Sequence, residues 1–184
     1  PLKAGRHLRL VLEAGGVCFR AVLFGAEQCG FDRQPGDEVD LAVALERDCW
    51  QGAERLSVIV RDFTLPRPFR EQARLYRAVR SGGGPEEVAD SLLPRREDFA
   101  AVYRYLRPRQ GRRLRLSRVC GELAGTRPGF GCFRLLAVLD VFREMELADI
   151  RLEGETLECR LCGGRRVKLE DSRLLRRLRS QTAG

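Results

Sequence analysis

The sequence is poor in lysine, histidine and tryptophan, and these scarcities limit the chemistry that the chain offers. Its only lysines are Lys3 and Lys168, so arginine supplies 32 of the 34 basic side chains. The only histidine, His7, alternates with leucines in a strand-like pattern, and no nucleophile accompanies it. We therefore interpret His7 as a surface or edge residue rather than as a general base.

The sequence also lacks a long apolar run, which argues against a membrane span, and no secretory signal is visible. The seven cysteines are odd in number and most occupy apolar positions, which favours reduced, buried thiols over a disulfide framework. Cys159 and Cys162 form a single C-x-x-C pair, whereas a structural zinc site needs four ligands. We expect no metal and no cofactor in this chain.

Positive charge is in excess. The formal net charge is +8 and the isoelectric point is about 9.6. The net charge is −2 over residues 1–64, +4 over residues 65–80 and +6 over residues 81–184. A basic balance favours nucleic acid as a partner, and arginine suits phosphate binding and base stacking. The alternative explanation is a GC-rich genome, which raises the arginine content everywhere.

The first 65 residues predict strands, because apolar residues alternate and glycine turns separate the runs. The predicted strands cover residues 6–13, 17–24, 39–45 and 56–63. A tight turn is predicted at Gly15-Gly16, and a polar loop at Arg47–Arg55 contains Trp50. This pattern predicts an OB-type small β-barrel over residues 1–65.

Residues 66–85 predict a basic connector helix from Pro68 to Arg80, followed by a glycine-rich linker. Arg70, Arg74 and Arg77 fall on one stripe of this helix, opposite an apolar stripe. The arginine stripe is interpreted either as a track for phosphates or as the solvated face of a connector.

Residues 86–184 predict three amphipathic helices, a β-ribbon and a last basic helix over Leu169–Arg179. Three helices followed by a ribbon are typical of a winged-helix-like domain. The helix after Gly131 mixes arginines with carboxylates, so we expect it to serve packing or a protein contact rather than groove reading. The predicted fold class is therefore α+β, an OB-type barrel followed by a winged-helix-like domain.

Two runs of the first region, HLRLVLEAGGVCFRAVLFG and GDEVDLAVALERDCWQGAERLSVIVRDF, resemble the OB domain of the RecJ single-stranded-DNA-specific exonucleases. The runs REDFAAVYRYL, LLAVLDVFREMELADI and LEDSRLLRRL are similar to the additional C-terminal domain of some RecJ proteins. The resemblance covers nearly the whole chain and identifies it as a C-terminal part of a RecJ-type protein.

The resemblance implies a parent enzyme of the DHH phosphoesterase superfamily, a cytoplasmic 5′-3′ exonuclease that uses Mn or Mg. Its two-metal site contains an Asp-His-His run, which this chain lacks. A neighbouring Gly-Gly-His motif is also missing, because Gly82-Gly83-Gly84 is followed by Pro85. The implied function is to bind single-stranded DNA for catalytic domains outside this sequence. We expect no membrane partner.

The candidate nucleic-acid-binding residues are twelve side chains suited to phosphate contact or base stacking. They are Arg9, Arg20, Trp50, Arg55, Arg70, Arg74, Arg77, Arg165, Arg166, Arg173, Arg176 and Arg177. The competing interpretations are solvated surfaces and, for Trp50, a cap on the barrel end. A third possibility is a protein-interaction module in which arginines meet an acidic tail, such as that of the single-stranded-DNA-binding protein. No enzymatic site of the chain's own is recognisable.

Overall fold

A computed structural model describes residues 7–29, 31, 33, 35–50, 53–85, 88–163 and 167–181. The side chains of Asp48, Trp50 and Ala53 lie outside that description. The chain divides into two compact units, Pro1–Pro66 (unit 1) and Arg67–Gly184 (unit 2).

Unit 1 begins with a hairpin of two eight-residue strands. β1 (His7–Ala14) pairs antiparallel with β2 (Val17–Phe24) in an unbroken register. Gly15 and Gly16 connect them with φ values of 58° and 78°. Two positive φ values characterise the type I′ turn, and glycine adopts them at little cost. The predicted hairpin and its turn are therefore confirmed.

The second hairpin of unit 1 is longer than the sequence predicts. β3 (Asp40–Trp50) and β4 (Ala53–Thr64) pair antiparallel throughout, with a bulge between Ala42 and Val43. The prediction of a polar loop at Arg47–Arg55 was wrong, because residues 47–50 continue β3 and residues 53–55 continue β4. Charged residues are tolerated there because they line a two-stranded ribbon that is exposed to solvent.

The described strands of unit 1 form an open sheet rather than a closed barrel. The strand order is β1-β2-β4-β3, with β2 and β4 parallel. β1 and β3 are the two edges within the described residues. The core is small and lies on one face, where Ala21, Leu23, Ala26 and Val60 are buried.

Unit 2 is an α+β unit with five helices and a three-stranded sheet. Its helices are α1 (Arg67–Ser81), α2 (Arg96–Leu106), α3 (Leu116–Thr126), α4 (Cys132–Glu144) and α5 (Arg173–Ser180). Its strands are β5 (Arg113–Arg115), β6 (Ala148–Glu153) and β7 (Thr156–Leu161), which form an antiparallel sheet in the order β5-β7-β6. The predicted helices and ribbon are all present, with the last helix preceded by a 3₁₀ turn at Leu169–Asp171.

Helix α4 is the centre of unit 2. Every residue from Cys132 to Phe142 is buried, and α1, α2, α3 and α5 all contact it. This burial agrees with the predicted packing role of the helix. A helix that is buried on all sides has no face left for groove reading.

Helix α1 is part of unit 2 and not a separate connector. Its residues Ala73, Tyr76 and Val79 are buried in the same core as α4. The prediction of a connector helix was therefore wrong, because the apolar stripe seen in the sequence is covered by the rest of the unit. The arginine stripe on the opposite side remains exposed.

The cysteines only partly follow the prediction of buried thiols. Within the described residues all are free, and Cys120, Cys132 and Cys159 are buried. Four others are exposed, namely Cys18, Cys29, Cys49 and Cys162. Burial raises the pKa of Cys159 to about 11 and that of Cys132 further. The exposed four lie on strands or turns of unit 1 and after β7, where one side of the chain faces solvent.

Candidate nucleic-acid interface

The sheet of unit 1 brings three of the predicted arginines to one face. Arg20 lies opposite Val11 on β1, and Arg9 lies opposite Val22 on β2. Val22 is level with Ile59 on β4, and Arg55 is four residues before Ile59. Because strand side chains alternate between faces, all three arginines project from the face opposite the small core. All three are exposed.

The charge on this arginine face is mixed. Arg61 donates a hydrogen bond to Glu46 across the β3–β4 ribbon at 2.8 Å, and Glu13 lies on the same face near the end of β1. Exposed pairs of this kind contribute little to stability. The face therefore offers separated positive charges rather than a continuous basic groove.

Some predicted residues fall outside the described part of the chain. Arg165 and Arg166 lie outside the described residues, as does the side chain of Trp50. Trp50 is the last residue of β3, and its backbone pairs with that of Ala53. Trp50 is thus at the tip of a ribbon, not in the polar loop that the sequence predicts.

Helix α1 presents the predicted stripe of Arg70, Arg74 and Arg77 to solvent. The helix has no acidic residue in its first turn, and Arg67 pairs with Glu71 at 2.6 Å. Its side toward α4 is fixed by Tyr76, whose ring packs edge-on against Phe133 at 5.2 Å between centroids. The packing therefore holds the arginine stripe outward.

The arginines of α5 divide into two groups. Arg173 and Arg176 are exposed. Arg177 instead uses its Nη2 to donate to the backbone oxygens of Val79 and Arg80, at 3.1 and 2.6 Å. These carbonyls end α1, so Arg177 caps that helix and places α5 beside it. Arg177 thus joins α5 to the C-terminal end of α1, and we refer to the exposed arginines of the two helices, Arg70, Arg74, Arg77, Arg173 and Arg176, as the α1–α5 surface.

The buried carboxylate of Asp140 supports the α1–α5 surface and was missed from the sequence. It accepts a hydrogen bond from the Tyr76 hydroxyl at 2.7 Å and pairs with Arg80 and Arg143, both at 3.2 Å. Burial and the Asp140 carboxylate raise the pKa of Tyr76 well above its ordinary value. Asp140 on α4 therefore holds Tyr76 and Arg80 of α1, and nothing in the sequence indicates that these three residues meet.

A second buried carboxylate, Asp98, was also missed. It accepts from the backbone N–H of Arg95 at 2.8 Å and from Arg127 Nε at 2.9 Å, and Arg134 Nη1 lies 3.6 Å away. Arg134 also donates to the carbonyl of Ser91. The only signal in the sequence was an acidic residue at the third position of a helix, which is typical of a capping interaction.

A further set of arginines in unit 2 was not singled out from the sequence. Residues 104–118 contain seven arginines and no acidic residue. Within the fold, four of these arginines pair with glutamates. They are Arg109 and Arg118 with Glu122, Arg113 with Glu158, and Arg115 with Glu155. Much of this arginine density therefore serves structure.

No group of three or more histidine, cysteine, aspartate or glutamate side chains in the described part of the chain is arranged to hold a metal ion. The described helices also include none with the length and apolarity of a membrane span. In the residues that the structure covers, the candidate site is thus a set of exposed arginines on each unit.

The family model of the RecJ OB domain matches residues 2–62. No curated protein matches the chain, and no solved structure matches it. The matched segment contains β1, β2, β3 and most of β4, and a RecJ OB domain points to nucleic-acid binding in a RecJ-like context. Residues 2–62 of this chain are therefore a RecJ-type OB domain region.

Proposed function

We propose that this chain is a non-catalytic C-terminal part of a RecJ-like single-stranded-DNA-specific 5′-3′ exonuclease. It binds single-stranded DNA and feeds it to catalytic domains outside the sequence, in a cytoplasmic enzyme of DNA repair and recombination that uses Mn or Mg. The match of residues 2–62 to the RecJ OB domain carries the proposal. OB folds hold single strands with basic grooves and stacked aromatic side chains.

In unit 1, the single-stranded DNA follows the face of the sheet that carries Arg9, Arg20 and Arg55. Trp50, at the end of β3, stacks on a base. A base stacked on an aromatic side chain contributes about 1–3 kcal/mol. The separated arginines contact phosphates individually, which suits a strand that must slide through without sequence preference.

We propose a winged-helix-like assignment for unit 2. The element order α2-β5-α3-α4-β6-β7 and the sheet order β5-β7-β6 support it. The burial of α4 argues against major-groove reading by this unit. The α1–α5 surface instead contacts the backbone of the single-stranded DNA through Arg74, Arg77, Arg173 and Arg176, and Arg165 and Arg166 are further candidates for phosphate contact.

A second candidate function is the capture of an acidic protein tail, such as that of the single-stranded-DNA-binding protein. One observation favours it for unit 2. On α1 and α5, Tyr76 is buried and Phe69 packs against the core, so the described part of the surface has arginines but no exposed aromatic ring. Such a surface recognises carboxylates as readily as phosphates, and it lacks a stacking platform for bases.

Fluorescence anisotropy of labelled oligothymidylates of increasing length tests these functions, with titrations at low and moderate salt. We expect tighter binding with length and a fall in affinity with salt. Trp50→Ala and Arg74→Glu each weaken binding, and loss of one phosphate contact reduces the salt slope by roughly 0.7. Arg96→Glu is the matched control, because it reverses an exposed arginine of α2 outside the proposed path.

The same titration with a labelled acidic peptide separates the two functions. Binding of the peptide without binding of oligonucleotides at low salt, by a folded chain, would contradict the DNA-holding role. If only DNA binds, and Arg74→Glu weakens it while Arg96→Glu does not, the peptide function is excluded for the α1–α5 surface.

A further inference from the structure

The C-terminal end of α2 carries an exposed aromatic ring beside arginines that have no carboxylate partner. Tyr103 is 40% exposed, and its neighbours Arg104 and Arg107 are exposed as well. Residues 99–121 contain no aspartate or glutamate. Among the described residues no carboxylate pairs with Arg104 or Arg107, whereas other arginines of the segment bind glutamates. Arg104 and Arg107 therefore keep their charge for another molecule.

The helical geometry brings these three side chains together. Arg107 directly follows α2 and has a helical backbone, with φ of −51° and ψ of −49°. Residues four positions apart are neighbours on a helix surface, so Tyr103 and Arg107 lie on the same side of α2. Arg104 is next in sequence to Tyr103, and its Nε donates a hydrogen bond to the Ala100 carbonyl at 3.2 Å. One surface of α2 thus presents an aromatic ring beside two guanidinium groups.

The ring of Tyr103 is held in place but not covered. It packs edge-on against Phe142 of α4, with 6.5 Å between the ring centroids and 88° between the ring planes. Phe142 is only 2% exposed, so this contact fixes the ring against the core. Long side chains on a helix point back over the preceding turn, where Ala100 is exposed and too small to cover the ring. A base meets a ring that is already ordered, which reduces the entropy lost on binding.

Neither of the other two tyrosines of the chain can stack in this way. Tyr76 is buried in the core of unit 2. The guanidinium group of Arg109 stacks on the ring of Tyr105 at 4.0 Å from its centroid, and the Tyr105 hydroxyl donates to Glu122. Tyr103 is therefore the tyrosine whose ring is open to a partner, on a unit whose α1–α5 surface has no exposed ring among its described residues.

We infer that Tyr103 stacks on a base of single-stranded nucleic acid and that Arg104 and Arg107 contact the neighbouring phosphates. The inference rests on the proposed function, and it adds a base contact to a unit whose α1–α5 surface offers arginines alone. An aromatic side chain stacks on every kind of base, so the contact has no sequence preference. The carboxylates of an acidic peptide would pair with the arginines but would leave Tyr103 without a stacking partner.

Photocrosslinking tests the stacking with the full 184-residue chain. The probe is an oligothymidylate in which iodouracil replaces one thymine, because irradiated iodouracil forms a covalent bond with an aromatic ring stacked on it. We expect mass spectrometry of the digested product to place the crosslink on Tyr103. Tyr103→Leu keeps an apolar side chain against Phe142 but removes the ring, and it should raise the dissociation constant by on the order of tenfold. Tyr103→Phe keeps the ring and should bind like the unchanged chain.

Titrations at several salt concentrations test the two arginines. Arg104→Gln and Arg107→Gln should each reduce the slope of log affinity against log salt by roughly 0.7, since each removes one phosphate contact. Arg95→Gln is the matched control, because it removes an equal charge at the other end of α2, where Arg95 already lies 4.0 Å from Asp90. It should leave the slope unchanged, and circular dichroism checks the folding of every variant.

The outcomes separate this inference from the proposed function. If Arg74→Glu weakens oligonucleotide binding but Tyr103→Leu does not, and the crosslink lies elsewhere, the stacking contact is wrong and the proposed function stands. An equal loss for Tyr103→Phe and Tyr103→Leu also overturns the stacking contact. A folded chain that binds no oligonucleotide at low salt overturns both, and binding of the labelled acidic peptide through Arg107 would then assign this surface to a protein partner.

Discussion

The two units use arginine and apolar residues in opposite ways. In unit 1, four residues form the main buried cluster, and Val11, Leu45 and Leu56 are each more than 60% exposed. Its candidate arginines project from strands into solvent. In unit 2, one cluster of buried residues contacts all five helices, and many arginines bind carboxylates or helix ends. Arginine content alone therefore does not measure how much surface a partner meets.

The difference between the two units follows from their secondary structure, which is a single sheet in unit 1 and mainly helices in unit 2. A single sheet has two faces, and a small unit covers only one of them. The four helices packed around α4 enclose enough volume to bury Asp98 and Asp140, and buried carboxylates need cationic or N–H partners. Unit 2 therefore uses several of its arginines inside its own fold, whereas no aspartate or glutamate among the described residues of unit 1 is buried as a whole residue.

The largest effect on stability is expected from Asp98→Ala. The change leaves Arg134, which is only 8% exposed, without its carboxylate and removes the acceptor of Arg127. Breaking a buried pair in this way costs about 3–5 kcal/mol. Urea denaturation followed by circular dichroism measures the loss for the helical unit.

Asp90→Ala is the control for that experiment. Asp90 is 75% exposed by side chain and lies 4.0 Å from Arg95, so its removal should change the free energy of unfolding little. Equal losses for the two variants would contradict the distinction between internal and surface arginines.

The second largest difference in the free energy of unfolding is expected between truncation of a buried leucine and truncation of an exposed one. Leu139 is fully buried on α4, and Leu139→Ala should reduce the free energy of unfolding by about 2–5 kcal/mol. Leu45 is 63% exposed on β3, and Leu45→Ala should change it by less than about 0.5 kcal/mol. Denaturant midpoints of both variants check this. A large loss for Leu45→Ala would mean that a partner surface covers the ribbon in solution.

A smaller effect is expected from neighbouring arginines of α5. Arg177→Ala removes two hydrogen bonds to the last carbonyls of α1, and we expect a loss of about 1 kcal/mol. Arg176 is exposed beside it, and Arg176→Ala should leave the melting temperature nearly unchanged. If the α1–α5 surface binds DNA, Arg176→Ala still lowers the affinity for an oligonucleotide. Equal melting temperatures for the two variants would show that Arg177 does not cap α1.

Much of the fold was predictable from spacing alone. Alternating leucines predicted β1, the Gly15-Gly16 turn predicted its pairing with β2, and the apolar stripes predicted α1 to α4, because these are local properties of the chain. The continuation of β3 through residues 47–50 and of β4 through residues 53–55 was not predictable, since charged residues in an exposed ribbon show no apolar alternation in the sequence. The inclusion of α1 in unit 2 depends on Tyr76 reaching Asp140, a contact across 64 positions of sequence.

The candidate site was predictable to a smaller extent. The exposure of Arg9 followed from the leucines on either side of it, Leu8 and Leu10. Among the arginines of α5, the sequence gave no basis for separating Arg177, a helix cap, from Arg176, a surface residue. That separation depends on where the end of α1 lies in space, which no local pattern encodes.

The smallest expected effect is a change of stability with pH. It involves the arginines of unit 2 that contact other groups of the same unit. The Tyr105 hydroxyl donates to Glu122 at 2.9 Å, and the Arg109 guanidinium stacks 4.0 Å from its ring centroid. Burial, followed by the bond to Glu122, raises the pKa of Tyr105 from 10.0 to about 12. Because the folded pKa is the higher one, the contribution of Tyr105 to stability is complete below pH 10 and is lost as the pH rises toward 12.

Ultraviolet absorbance of tyrosinate, recorded during an alkaline titration of the chain and of Tyr105→Phe, measures this pKa. We expect the difference between the two curves to rise near pH 12, and the denaturant midpoint to fall less between pH 10 and 12 in the variant. A difference curve centred at pH 10 would mean that the hydroxyl is solvated. The arginines around Glu122 would then be surface charges like those of unit 1, and residues 104–118 would have to be considered as a third basic surface for a partner.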